Sequence, residues 1–217
     1  MNAPKLQTHG FDVVRGLIDP APYYKHMQDM FGRGEGDVDT FVPGARVFYQ
    51  DALFEHLLAM MRPTIESHVG HRLLGTYSYA REYDEGHQLR PHKDRPSCEI
   101  TVSISLGPRR DPPWPIWLLD FTGQPHAVEL HPGDAVMYMG IEVVHWRQKN
   151  VYGPCSQLFL HYVDRDGPHS IYEGNTYKPI WFSRELFGRT VVLGIVPPYT
   201  CECGLLTKKR RKRGRAK

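Results

Sequence analysis

Up to Gly70 the apolar positions recur at helical spacing, and from Leu73 onward they alternate with polar ones. Tyr23, Met27 and Met30 share one side of Pro20–Phe31, which predicts a short helix. Asp51 precedes Leu53, Phe54, Leu57, Leu58 and Met61, which predicts a helix over Ala52–Met61 with Asp51 as its N-cap. Pro63 is expected to kink or interrupt that helix before Ile65 and Val69, since proline removes an internal N–H donor. Both stripes read as core surfaces packed on a sheet. Beyond Leu73 the period is two. Tyr77, Tyr79, Arg81 and Tyr83 fall on one strand face, and Glu99–Leu106 alternates strictly. Short strands are expected at Ile116–Leu119, Ala127–Leu130, Ala135–Met139, Gln157–Val163 and Val191–Val196. Between them stand breakers such as Gly107-Pro108, Gly123-Gln124-Pro125 and His131-Pro132-Gly133-Asp134. Helices followed by many short strands predict an α+β, mainly β domain: a sandwich or barrel with helices on one side. No repeat or linker divides residues 1–207.

Composition narrows this picture. The chain has 217 residues, enough for one elaborated domain, and its 41% hydrophobic content excludes wholesale disorder. No apolar run is long enough to span a bilayer, so no membrane partner is expected. The first ten residues lack a signal-peptide pattern, and four cysteines (Cys98, Cys155, Cys201, Cys203) do not make a disulfide framework. Both point to a reducing, cytoplasmic setting, or a nuclear one in a eukaryote. The net charge of +3 conceals two regions: residues 208–217 carry eight cations, whereas residues 1–207 sum to −5. The basic block predicts a disordered tail. It is either an arm for nucleic acid or a solubilising end.

The chemistry is concentrated at Pro91-His92-Lys93-Asp94 and at His145. Two positions apart on an extended segment, His92 and Asp94 project to one face. A second histidine arriving from another strand completes a two-histidine, one-carboxylate set. Such a set holds one face of a ferrous ion and leaves the other open for oxidative chemistry. With 12 histidines present, His161 and His169 are further nominees. Cys201-x-Cys203 is half a metal site and reads as structural.

The context of these residues carries a resemblance. Tyr83 followed by Pro91-His92-x-Asp94, the alternating strand Ile100–Leu106, the Pro132-Gly133-Asp134 turn, Val144-His145-Trp146-Arg147 and the closing strand Gln157–Asp164 stand in a familiar order. Over about residues 73–164 the chain resembles the Fe(II)/2-oxoglutarate-dependent dioxygenases, in particular their prolyl-hydroxylase-like branch. The resemblance implies a double-stranded β-helix, or jelly roll, with N-terminal helices on one sheet. It implies His92, Asp94 and His145 as ligands of Fe(II), with 2-oxoglutarate and O₂ as cosubstrates and ascorbate as a reductant. The implied reaction is hydroxylation of a peptidyl or free amino acid, with release of succinate and CO₂. The aspartate also argues against a halogenase, where a small residue frees that position.

At one place the pattern is not met. The resemblance leads to a basic residue on the closing strand, about ten positions after the distal histidine, for the far carboxylate of 2-oxoglutarate. Cys155, Gln157, Phe159 and His161 occupy that face instead. A guanidinium is the natural partner of a carboxylate. Arg147, two residues after His145, is therefore the first candidate and Arg81 the second, with Tyr83 as a hydroxyl donor. Tyr77, Tyr79, Trp114 and Trp117 are candidates for a pocket wall or for core, and Trp146 for packing. Arg109-Arg110 lies in a proline-rich loop. Two other classes of function stay open. One is an oxygenase acting on nucleic acid, motivated by the tail although the closing strand lacks paired arginines. The other is a cupin-type metal-binding module, although a His-x-His pair is missing around His92.

Overall fold

The computed structural model describes residues 5–175 and the backbone of two short strands beyond them. The N-terminal part holds α1 (Lys5–His9), β1 (Phe11–Val14), α2 (Ala21–Gly32), β2 (Asp37–Val38), β3 (Arg46–Tyr49) and α3 (Ala52–Val69). Then come β4 (Leu73–Tyr83), β5 (Leu89–His92), β6 (Ile100–Gly107), β7 (Ile116–Leu119) and β8 (Pro125–Val128). The series ends with β9 (Ala135–Met139), β10 (His145–Arg147), β11 (Cys155–Asp164) and the hairpin of β12 (Ser183–Leu186) and β13 (Arg189–Val192). Seven strands form one antiparallel sheet in the order β1-β9-β6-β11-β4-β3-β2, and four form a second in the order β5-β10-β7-β8. This is the mainly β jelly-roll architecture expected, with helices covering one sheet. Among the described residues no helix is long and apolar enough to cross a membrane.

α2 and α3 begin where the pattern places them, and α1 was not signalled by it. Asp51 has an extended backbone and its Oδ1 accepts from the N–H groups of Leu53 (3.0 Å) and Phe54 (3.3 Å), capping α3. Met27, Met30, Phe54, Leu57, Leu58 and Ile65 are buried against the larger sheet. Of the two outcomes expected at Pro63, an interruption does not occur; the helix runs on to Val69. Pro63 and Ala59, whose carbonyl loses its partner, are both exposed, so water can replace the missing bond.

The strict alternation of β6 has both faces buried. Ile100, Val102, Ile104 and Leu106 join the helix-side core, while Thr101, Ser103 and Ser105 turn into the space between the sheets. A second apolar cluster (Ile116, Leu118, Val136, Tyr138, Val143) closes one end of that space. β8 lies two residues earlier than expected. Asp120 gathers the turn by accepting from the N–H groups of Thr122 and Gln124, which sets Leu119 opposite Pro125 and releases Leu130 from the ladder. Of the expected strand Val191–Val196, the first two residues fall in β13 and the rest lie outside the described residues, as do Cys201, Cys203 and the basic tail.

Candidate metal centre

β5 and β10 pair antiparallel with His92 directly opposite His145, so both imidazoles rise from the same face of the smaller sheet. Their ring centroids are 4.2 Å apart. Asp94 follows where the chain leaves β5, and its N–H donates to the Gly140 carbonyl at 2.8 Å. Its Oδ1 then lies 3.6 Å from His92 Nε2 and 3.5 Å from His145 Nε2. Each Nδ1 faces a backbone carbonyl, that of Arg90 at 2.8 Å and that of Val143 at 3.1 Å. A carbonyl only accepts, so both Nδ1 atoms carry the proton and both Nε2 atoms present a lone pair. Two lone pairs and a carboxylate oxygen thus converge on one point.

The surroundings fix the carboxylate. Thr101 Oγ1 donates to Asp94 Oδ2 at 2.9 Å and stands 3.1 Å from His161 Nδ1. Gly140 leaves room for it, since a Cβ there would lie 2.2 Å from the Cys98 carbonyl and 2.7 Å from Asp94 Oδ2. Burial opposes ionisation of Asp94, but the His145 and His92 imidazoles beside it outweigh this and hold the carboxyl below its usual range. Burial pushes His145 down to about 4 and His161 down to about 3. At neutral pH Asp94 and His145 are therefore in the protonation states that bind a metal. The donor set fits a borderline, oxygen-activating ion such as Fe(II). Cys98 and His161 form a second close set with Asp94. Burial pushes the Cys98 thiol up to about 12, so it stays protonated, and the Thr101 hydroxyl occupies the bond between His161 and Asp94.

A cavity of about 440 Å³ opens over the three ligands, between the sheets. Tyr77, Tyr79 and Arg81 of β4 and Phe159 and His161 of β11 form one wall, Arg147 lies across from them, and Phe41 packs on His92 at 4.8 Å. Arg147 is 1% exposed and donates to the Trp114 carbonyl (2.7 Å) and to Gln157 Oε1 (3.2 Å). It forms no ion pair among the described residues. Arg81 is placed differently: its Nε and Nη2 both lie 2.5 Å from Asp39 Oδ2, and its Nη1 donates to the Tyr83 hydroxyl at 2.7 Å. Gln157 pairs in register with Arg81 and accepts from Arg147. The closing-strand position that lacks a basic side chain is thus flanked by Arg81 from the neighbouring strand β4 and by Arg147 from β10 of the opposite sheet.

Three solved structures share this arrangement of elements. A Pseudomonas putida prolyl-4-hydroxylase is 18% identical, with a TM-score of 0.59 over 75% of this chain and 96% of its own. A Trichoplax adhaerens prolyl hydroxylase, solved with a hypoxia-inducible-factor peptide fragment, is 16% identical with a TM-score of 0.61 over 74% and 86%. HygX from Streptomyces hygroscopicus, solved with nickel, 2-oxoglutarate and hygromycin B, is 13% identical with a TM-score of 0.59 over 73% and 84%. The fold is that of the 2-oxoglutarate-dependent oxygenases. No family model and no curated protein matches the sequence.

Within this oxygenase fold the remaining nominees separate. Trp117 and Trp146 stack on each other at 5.9 Å, and Trp114 is buried against Tyr83. Arg110 binds the carbonyls of Tyr152 and Pro154 and so pins a loop. His169 lies outside the cavity, on the chain after β11. Asp39, Thr101, Tyr138 and Gly140 were not signalled by spacing. The Tyr138 hydroxyl reaches His145 Nε2 at 3.4 Å from within the stretch after the Pro-Gly-Asp turn, its face set by the register with Thr101.

Proposed function

We propose that this chain is an Fe(II)- and 2-oxoglutarate-dependent dioxygenase that hydroxylates an unactivated C–H bond of a peptidyl or small-molecule substrate, releasing succinate and CO₂. One observation carries the reading: both imidazoles are tied through Nδ1 to carbonyls, so that their Nε2 lone pairs meet the Asp94 carboxylate at one point. When bound, iron and 2-oxoglutarate supply the oxidising chemistry. The chain supplies placement. His92, Asp94 and His145 hold one face of the ion, and Thr101 keeps Asp94 from rotating. Arg147, which has no carboxylate partner among the described residues, takes the far carboxylate of 2-oxoglutarate. Tyr83, expected as a second donor to that carboxylate, is fully buried outside the cavity lining and instead accepts from Arg81, steadying that guanidinium. The aromatic wall of Tyr77, Tyr79 and Phe159 excludes water from the reacting centre.

Fold relatives solved with a peptide fragment and with hygromycin B support a peptidyl or small-molecule substrate. The test is succinate formation from 2-oxoglutarate with Fe(II) and ascorbate, alongside calorimetric titration of 2-oxoglutarate into metal-loaded protein. Wild type is expected to form succinate and Asp94→Ala to form none. A metal-loaded protein that neither binds nor turns over 2-oxoglutarate belongs with the cupin-type modules instead. Arg147→Gln should raise the 2-oxoglutarate KM by about tenfold or more, the scale of a lost charge-assisted pair. An unchanged KM would move the anchor to Arg81.

A further inference from the structure

The proposed chemistry leaves two positive charges over, and their position says what the substrate carries. Among the described residues six acidic or basic side chains line the cavity: Asp39, Arg81, Lys93, Asp94, Arg95 and Arg147. Asp39 neutralises Arg81. A divalent ion, Asp94, the dianionic cosubstrate and Arg147 cancel one another. Lys93 and Arg95 remain, and neither forms an ion pair among the described residues. Both are exposed, at the mouth of the cavity.

Arg95 is held rather than waving in solvent. Its guanidinium carbon lies 4.8 Å from the centre of the Tyr77 ring. Its Nε donates to the Tyr77 hydroxyl at 3.3 Å, and Nη2 approaches the Tyr49 hydroxyl at 3.5 Å. Phenol hydroxyls orient the fork without neutralising it. A guanidinium fixed on an aromatic face is suited to bidentate recognition of a planar anion. Among the described residues the same accounting leaves no cavity carboxylate for an incoming ammonium, because Asp39 is bonded to Arg81 and Tyr79 and Asp94 belongs to the metal side.

We infer that the substrate is anionic, and that Arg95, aided by Lys93, binds a carboxylate of an otherwise apolar or aromatic molecule at the mouth of the cavity. Resting on the function proposed above, this disfavours a free amino acid with an unmodified ammonium group. It favours an acylated or otherwise net-negative substrate.

The test compares phenylacetate, phenylacetamide and phenethylammonium by calorimetry, with the protein loaded with Ni(II) and saturating 2-oxoglutarate. Phenylacetate should bind at least about tenfold more tightly than either of the others, the scale of one charge-assisted hydrogen-bonded pair. Arg95→Gln should abolish that preference, and Arg95→Lys should keep only part of it. Equal binding of the three probes, or an undiminished preference in Arg95→Gln, overturns the inference. A fall in 2-oxoglutarate affinity that accounts for the whole effect of Arg95→Gln also overturns it, by assigning Arg95 to the cosubstrate. If wild type fails to bind 2-oxoglutarate, the function reading fails separately. The preference and its dependence on Arg95 are then read with Ni(II) alone.

Discussion

The carbonyls of Arg90 and Val143 decide what the three converging side chains can bind. Without them either imidazole could turn its N–H inward and place a donor where a metal needs a lone pair. His92 and Asp94 were legible because a spacing of two on extended chain is a geometric statement. His145 needed the order of surrounding motifs as well. Asp39 and Thr101 were not legible: one approaches from a loop between β2 and β3, and the other looks like any polar residue of an alternating strand. Thr101 is expected to matter through Asp94. Thr101→Val, of similar shape, should weaken Fe(II) or Ni(II) binding by ~10- to 100-fold, the usual effect of losing a bond to a metal ligand. Calorimetry with Ni(II) reads this directly, and undiminished affinity would mean that Asp94 is held by its backbone alone. Acid acts at the same scale. His145 and His161 titrate at about 4 and about 3 in the folded chain, against 6.5 for the free side chain. Their folded values are depressed, so the unfolded chain takes up protons first. Their contribution is complete above about pH 6.5 and is lost as pH falls towards 4 and then 3, with a slope of up to about 1.4 kcal/mol per pH unit for each. Thermal melts of metal-free protein between pH 7 and pH 4 should show this decline, and His161→Phe should flatten part of it.

Among the elements, those built on side-chain periodicity were readable and those built on a functional constraint were not. α2, β6, β7, β9 and β11 follow from apolar spacing, apart from small shifts at their ends, whereas α3 starts as expected but runs eight residues past Met61. β5 and β10 are short, carry the ligands, and include Pro91, which a strand tolerates only at a sheet edge. Nothing in their composition competes with the reading of a loop. The cap of α3 is a local test of the helical reading. Asp51→Ala removes the acceptor for two N–H groups and should cost about 1 kcal/mol, seen as a lower denaturation midpoint. The turn after β9 is a sharper one. Gly140→Ala forces a methyl against Asp94 and the Cys98 carbonyl, so metal affinity should fall even in protein that still folds.

For the whole molecule, the passage from helices to short strands announced a layered β fold, and the resemblance supplied its closure as a jelly roll. The make-up of the smaller sheet was beyond sequence, because it depends on β5 pairing with β10 across more than fifty residues. That pairing has a consequence for dynamics. β5 is the outermost strand of the smaller sheet, held on one flank only. An ion gripped by His92 and His145 would rivet this flank to its neighbour, joining two strands otherwise connected by a few backbone bonds. Metal loading should then slow amide hydrogen exchange at Leu89, Arg90 and His92 far more than in the core strands β6 and β11, whose opening is already rare. Mass-spectrometric exchange with and without Ni(II) would show it. A uniform slowing across both sheets would mean instead that the ion stabilises the fold as a single unit.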